Sequence, residues 1–169
     1  MTSSEVVGLY SALDEACVRV WIDGGWAVDA LLARQLRPHK DLDIALERTD
    51  ERGLREVLAA KGYRQVREDG EWNFVLADDE GHEIDVHVFV WDERGNVVDG
   101  IRYPAASLTG TGTIRGHAVR CISAKHMVAF LAPWIHKWPD KYVPAVSALC
   151  EKFGIELPAA YIEFTSSRP

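Results

Sequence analysis

The run Asp41-Leu42-Asp43-Ile44-Ala45-Leu46-Glu47 alternates acids with apolar residues, and that period belongs to an extended strand with one buried face. Asp41 and Asp43 then project together while Leu42, Ile44 and Leu46 enter the core. Two ionised carboxylates side by side repel unless a cation joins them. A second run, Glu83-Ile84-Asp85-Val86-His87-Val88, repeats the arrangement: Ile84, Val86, Val88 and Val90 point inward, Glu83, Asp85 and His87 lie on the polar face. If the two strands are neighbours, three aspartates converge.

The rest of the chain supplies elements to cover such a sheet. Val6, Leu9, Leu13 and Cys17 recur at helical spacing over residues 3–17 behind the cap candidates Ser3-Ser4. A strand is expected at 18–22 and a helix at 26–34, so Gly24-Gly25 marks a strand-to-helix turn. Thr49 or Asp50 can cap a helix that runs to about Lys61 and stops at Gly62. Strands are expected at 63–68, 72–77 and 82–90, separated by the turn signals Asp69-Gly70 and Asp78-Asp79-Glu80-Gly81. Residues 97–122 read as shorter strands broken by Gly100, Pro104 and a Gly110-Thr111-Gly112 loop, with a mobile hairpin explaining Gly110, Gly112 and Gly116. From Ser123 the pattern is helical, split at Pro133.

With 169 residues and 47% hydrophobic content, the chain suits one folded domain with a helical appendage. A net charge of −7 argues against broad adhesion to nucleic acid or anionic membrane. Cys17, Cys121 and Cys150 are widely spaced and form no Cys-x-x-Cys pair, which indicates neither a disulfide framework nor a zinc knuckle. No basic leader precedes an apolar run and no segment approaches bilayer length, so the expected location is the cytoplasm.

Exposed acid pairs on strands are usually only solvated. Here the third acid changes the balance, because Mg²⁺ takes few carboxylates and completes its shell with water and substrate phosphates. An EF-hand is excluded by Ile44, Ala45 and Leu46, which stand where the loop needs a glycine and oxygen ligands. Gly24-Gly25 ahead of a helix lets backbone approach a phosphate at a helix N-terminus, although the Lys-Ser/Thr ending of a P-loop is missing. Arg37, His39 and Lys40 add positive charge just before Asp41, fit either to balance a triphosphate or to form an ordinary solvated loop. His82 and His87 are five apart on a strand-like run, which sets zinc proteolysis aside. For Trp91, Trp134 and Trp138, near loops, lining an organic-substrate cleft competes with burial.

Three strings together resemble the small antibiotic nucleotidyltransferases: Trp21-Ile22-Asp23-Gly24-Gly25-Trp26-Ala27-Val28-Asp29-Ala30-Leu31-Leu32, then Arg37-Pro38-His39-Lys40-Asp41-Leu42-Asp43-Ile44, then Glu83-Ile84-Asp85-Val86-His87. The nearest look is to lincosamide nucleotidyltransferases, with aminoglycoside 2″-nucleotidyltransferases sharing the order, both within the polymerase-β-like superfamily. The resemblance implies an α+β fold, a mixed sheet flanked by helices, divided into a nucleotidyltransferase core at 1–122 and a helical subdomain at 123–169.

It also implies Mg²⁺-dependent transfer of a nucleoside monophosphate, AMP from ATP as the first expectation, to a hydroxyl of a small molecule of lincosamide or aminoglycoside type. Gly24 and Gly25 match the triphosphate-binding turn, with Arg37, His39 and Lys40 as further nucleotide contacts. Asp41, Asp43 and Asp85 match the metal acids and catalytic residues, Asp85 being the base candidate. Glu83 is its reserve, and Glu83 and His87 are the weaker substrate contacts. Asp29 reads as supporting the site. Ala33, Leu36, Leu131, Tyr142 and Ala145 depart from the pattern: glycine, threonine, histidine and two aspartates are expected there, and Lys141 matches the lysine of the last motif. The two competing readings are a toxin-like enzyme that modifies protein or RNA, and a non-catalytic nucleotide-binding protein. The partners expected are a nucleoside triphosphate and a hydroxylated acceptor, with no nucleic acid or membrane; a homodimer stays open.

Overall fold

A computed structural model describes residues 1–166. Their elements run α1 (Ser3–Glu15), β1 (Val20–Ile22), α2 (Gly24–Leu32), β2 (Asp41–Glu47), α3 (Glu51–Ala60), β3 (Arg64–Gly70), β4 (Asn73–Ala77) and β5 (Glu83–Trp91). There follow β6 (Val97–Gly100), β7 (Gly110–Ile114), β8 (His117–Cys121), α4 (Ala124–Leu131), α5 (Pro139–Phe153) and α6 (Ala159–Ser166). The strands form one mixed sheet in the order β3-β4-β5-β2-β1-β8-β7, with β6 on β5.

The decisive pairing is β2 with β5. They are parallel, and their register sets Asp41 opposite Glu83 and Asp43 opposite Asp85. The two alternating runs are therefore neighbours, as their shared pattern required. Their other faces enter the core: Leu42, Ile44, Leu46, Ile84, Val86 and Val88 are all buried. Helix α2 packs on β2, β7 and β8, and α4 and α5 pack on α2. Residues of α4 and α5, among them Met127, Val128, Val146 and Leu149, join the same apolar cluster as the sheet.

Several local expectations change. The cap of α1 is Thr2 rather than Ser3-Ser4, because Thr2 and Glu5 each accept from the other's backbone N–H in a capping box. That helix ends at Glu15, and Cys17 turns away at φ 59°. The first turn of α2 already contains the two glycines, capped by Asp23. Its C-terminal residue Ala33 adopts the left-handed conformation (φ 56°), which explains why glycine is the expected residue there. The hairpin after β3 turns on Glu71-Trp72, so Asp69 and Gly70 still belong to the strand.

The largest correction concerns residues 110–112, which form strand β7 instead of a loop. Their glycines respond to tertiary crowding. A Cβ at Gly112 would lie 2.4 Å from the backbone carbonyl of Ala30, and one at Gly110 would lie 2.5 Å from that of Cys121. The strand thus lies directly against the backbone of α2. The turn of this hairpin falls at Arg115-Gly116, between the paired residues Ile114 and His117.

Gly112→Ala should therefore destabilise the protein by about 2 kcal/mol, as overpacking against backbone does. At roughly 2–4 °C per kcal/mol for a chain of this length, thermal unfolding reads the loss. Gly8→Ala, inside α1 with nothing within 4 Å of the added methyl, should instead raise the midpoint, since alanine is the better helix former by about 0.5–1 kcal/mol.

Candidate active site

Helix α2 begins directly over β2. Gly24 has φ 58°, and a Cβ there would fall 1.9 Å from Oδ2 of Asp43. Glycine is the residue that meets both demands, and the helix N-terminus is held against the Asp43 carboxylate. Gly25 is also crowded: its Cβ would meet His39 Nδ1 at 2.3 Å and the Arg37 guanidinium at 3.1 Å. The first turn leaves backbone N–H groups without helical partners, a favourable position for anionic oxygen.

An open cleft of about 720 Å³, counting its mouth, lies at this helix end. On one side it is lined by Gly24, Gly25, Arg37, His39, Asp41 and Asp43. Asp85 and His87 sit one strand further on β5, on the same face as Asp43. The facing wall comes from α4 and α5: Leu131, Asp140, Lys141, Tyr142, Pro144 and Ala145, joined by Leu36. Leu36, Leu131, Tyr142 and Ala145, where the sequence departs from the expected pattern, thus all line this one cleft.

The cationic run before Asp41 separates into three fates. Arg37 lines the cleft, with Nη1 donating to the Pro38 carbonyl at 3.0 Å. His39 is buried, its Nε2 2.6 Å from Oδ2 of Asp29 and its ring 4.7 Å from that of Trp26. It forms the cleft floor as a structural partner rather than as a free cation. Asp29 also accepts from the Leu36 N–H at 3.0 Å, so it ties α2 to the loop that delivers β2, the supporting role expected of it. Lys40 is exposed and lies outside the cleft lining. Glu83 is likewise outside that lining, with Oε2 4.0 Å from the Arg67 guanidinium.

Beneath the acids runs a hydrogen-bonded chain that the sequence did not reveal. Asp23 accepts from the Gly24 N–H at 2.7 Å through Oδ1 and from the Tyr103 hydroxyl at 2.6 Å through Oδ2. With the single phenol proton committed to Asp23, the Nδ1–H of His87 donates to the Tyr103 oxygen at 2.7 Å. That leaves Nε2 of His87 facing Oδ1 of Asp85 at 3.5 Å. Asn73 donates to the same oxygen at 2.6 Å. Asp23 was visible as the residue before Gly24. Asn73 and Tyr103 carried no local signal, since each acts only through a contact made by the fold.

Charge is crowded here. Burial first, then the nearby charges of Asp23 and Asp41, with Asp85 adding less, push the Asp43 carboxyl up to about 7 against a smaller opposing pull from His87. Burial opposes the charged form of Asp23, but hydrogen bonds from the His87–Tyr103 pair and the charge of His87 hold it below the ordinary carboxylate range. Burial likewise disfavours His87 imidazolium; the Asp23 carboxylate 3.7 Å from Nδ1, then Asp85 and Asp43, outweigh it and raise His87 above its usual value.

Among the described residues no three His, Cys, Asp or Glu side chains are already gathered as a metal cage, and Asp85 is turned to Asn73. The donor set nonetheless suits a hard divalent cation: all oxygen, on adjacent strands, with Asp23, Asp41 and Asp85 crowding acidic groups around Asp43.

A family model described as aminoglycoside-2''-adenylyltransferase matches residues 5–133. The chain is 27% identical over 154 residues to a 2''-aminoglycoside nucleotidyltransferase of Escherichia coli, covering 88% of this chain and 85% of that protein. It is 26% identical over 97 residues to a lincosamide resistance protein of Staphylococcus haemolyticus, covering 57% and 60%. Among solved structures, ANT(2'')-Ia in complex with adenylyl-2''-tobramycin superposes with TM-score 0.77 at 24% identity over 97% of each chain. A lincomycin-bound lincosamide antibiotic adenylyltransferase gives 0.74 at 19% identity over 92% of this chain and 99% of that one. These likenesses place the fold in the polymerase-β-like class. The chain belongs to the aminoglycoside-2''-adenylyltransferase family and is a nucleotidyltransferase.

The crowded acids make the metal-free protein pH-sensitive near neutrality. Folded Asp43 keeps its proton up to about pH 7, whereas an unfolded aspartate loses it near 3.9, so stability falls as pH rises between those values. The raised His87 contributes stability that is complete below about 6.5 and is lost as pH climbs through its folded value. The lowered Asp23 changes stability only in acid. In EDTA the unfolding midpoint should therefore drop from pH 6 to pH 8.5. Asp43→Asn should flatten that slope, and millimolar Mg²⁺ should raise the midpoint more at pH 8.5 than at pH 6; an unchanged slope in Asp43→Asn would exclude this account.

Proposed function

We propose that this family member transfers AMP from ATP to a hydroxyl of a small antibiotic of aminoglycoside or lincosamide type, releasing pyrophosphate. The observation that carries the reading is the in-register alignment of Asp43 with Asp85 beneath the Gly24 end of α2. Names of the relatives point the same way: one structure holds adenylyl-2''-tobramycin and another lincomycin.

Each residue then has a task. Gly24 and Gly25 let the triphosphate approach the helix end, where the macrodipole favours negative charge. Arg37, at the cleft edge beside Gly25, balances the outer phosphates. Asp41, Asp43 and Asp85 would hold Mg²⁺, which when bound neutralises charge building at the α-phosphate. The acceptor oxygen attacks the α-phosphorus, the bond to the bridging oxygen of the β-phosphate breaks, and pyrophosphate departs. The hydroxyl proton passes to Asp85, whose carboxylate is kept in position by Asn73 and His87. The α4–α5 wall faces the acceptor.

Labelled ATP, Mg²⁺ and a panel of hydroxylated antibiotics test the reading directly. Asp43→Asn and Asp85→Asn should each lower turnover by about 10² or more. If Asp85→Asn kept full activity while Asp43→Asn lost it, the three-acid site would be rejected. Label appearing on RNA or on protein instead of on the antibiotics would transfer the case to the toxin-like reading. Tyr103→Phe, which removes one hydroxyl from the chain linking Gly24 to Asp85, should cost roughly ten- to a hundredfold in kcat, the scale of one hydrogen bond to a charged group at about 1.5–3 kcal/mol.

A further inference from the structure

A row of aromatic rings leads away from the cleft wall at Tyr142. Tyr142, on its wall, meets Trp138 edge-on with ring centroids 6.0 Å apart, and Trp138 meets Trp134 at 5.6 Å with planes 34° apart. Trp138 stands just before α5 with non-helical backbone, so it is these ring contacts that set the three side chains in one row. Trp134 is 46% exposed and Trp138 42%. Tryptophan is a costly residue to leave in water, and a contiguous row of such rings beside a cleft marks a contact surface.

Two lysines accompany the rings. Nζ of Lys137 lies 4.2 Å from the Trp138 centroid and 5.6 Å from that of Trp134, while Nζ of Lys141 lies 5.1 Å from Tyr142. Where the cleft wall meets the row, Asp140 is its one carboxylate, beside Lys141 and the apolar Leu131, Pro144 and Ala145. An ammonium group brought to the rings meets the resident cations Lys137 and Lys141 and finds on this wall the single carboxylate of Asp140, next to Lys141 in the chain. A ring or alkyl face meets matching surface.

Building on the reading of this cleft as a nucleotidyl-transfer site, we propose that Trp134, Trp138 and Tyr142 form an acceptor-binding ledge. It takes a small hydroxylated molecule that presents an apolar face, and Lys137 and Lys141 disfavour polycationic acceptors. The nucleotide is drawn to the opposite side, where the helix end, Arg37 and the acids lie. The ledge offers ring faces, which fit a flat or alkyl surface laid against them.

The test uses full-length protein with lincomycin as the apolar-faced probe, tobramycin as the polycationic one, and a nonhydrolysable ATP analogue with Mg²⁺. Quenching of tryptophan fluorescence should report lincomycin binding at least tenfold tighter than tobramycin binding. Trp134→Ala/Trp138→Ala should weaken lincomycin binding about tenfold and raise its KM with little change in kcat, while affinity for the ATP analogue holds. Tyr142→Asp should shift the preference toward tobramycin. Unchanged lincomycin binding in the double variant would overturn the ledge, as would tighter binding of tobramycin by the wild type. Weakened analogue binding in that variant would overturn it by making the rings a nucleobase site, and loss of a dimer in light scattering would do so by making them an interface between copies. Asp43→Asn separates the two proposals: it should abolish transfer yet still quench with lincomycin, so a chain that binds the probe but transfers nothing loses only the transfer reading.

Discussion

The Asp43 carboxylate is the most constrained point of the molecule. Gly24 leaves no room for a Cβ beside it, Asp85 stands opposite in the ladder, and Asp23 and Asp41 add charge of the same sign. Its position is nevertheless imposed by backbone: the Asp23 N–H donates to the Asp43 carbonyl at 2.8 Å, and β2 is paired on both sides. The same two strands bury Leu42, Ile44, Leu46, Ile84, Val86 and Val88 on their other face. Each of these contributes roughly 1.5–3 kcal/mol, whereas unit charges near 4 Å repel by about 4 kcal/mol at the effective dielectric of a protein surface. Burial wins, and the sheet holds together side chains that would separate in solution.

The hydrogen-bonded chain under the acids follows from the same constraint. Carboxylates gathered here need donors, and the fold supplies them from other segments, Asn73 from β4 and Tyr103 from the loop after β6, while the neighbouring Gly24 N–H adds a local one to Asp23. His87 links one donor to one acid, being within reach of Tyr103 on one ring nitrogen and of Asp85 on the other. The N-terminal end of α2 and the strand that carries Asp85 are therefore joined through side chains. Movement of one is felt by the other through two side-chain hydrogen bonds and a close ion pair.

What the sequence made legible was whatever repeats locally. The period-two runs of β2 and β5 announced both strands and the face carrying the acids, and their common pattern made adjacency the natural arrangement. Gly24-Gly25 announced the turn. Failures came where a residue answers to a partner far along the chain. Gly110 and Gly112 looked like loop formers because glycine is the usual loop signal, yet they are strand residues pressed against Ser123 and Ala30. The charges of Arg37, His39 and Lys40 were plain, but their directions were not: His39 is buried against Asp29, and Lys40 points to water. Tyr103 and Asn73 had no signature at all.

The positions that depart from the expected pattern show how such a site divides. Leu36, Leu131, Tyr142 and Ala145 line the cleft together with Gly24, Asp41 and Asp43, but none of them belongs to the sheet or contacts the acids through a hydrogen bond that the structure records. Leu131, Tyr142 and Ala145 sit on α4 and α5, helices that pack on α2 and contribute these residues to the cleft lining. Substitution at these positions changes the cleft wall without disturbing the register that aligns Asp43 with Asp85. The sheet fixes where the acids stand, and the helices lay over it a surface of independent chemistry. Ala33 departs differently: its left-handed backbone is set by the end of α2, so its change is felt in stability and leaves the cleft wall as it was.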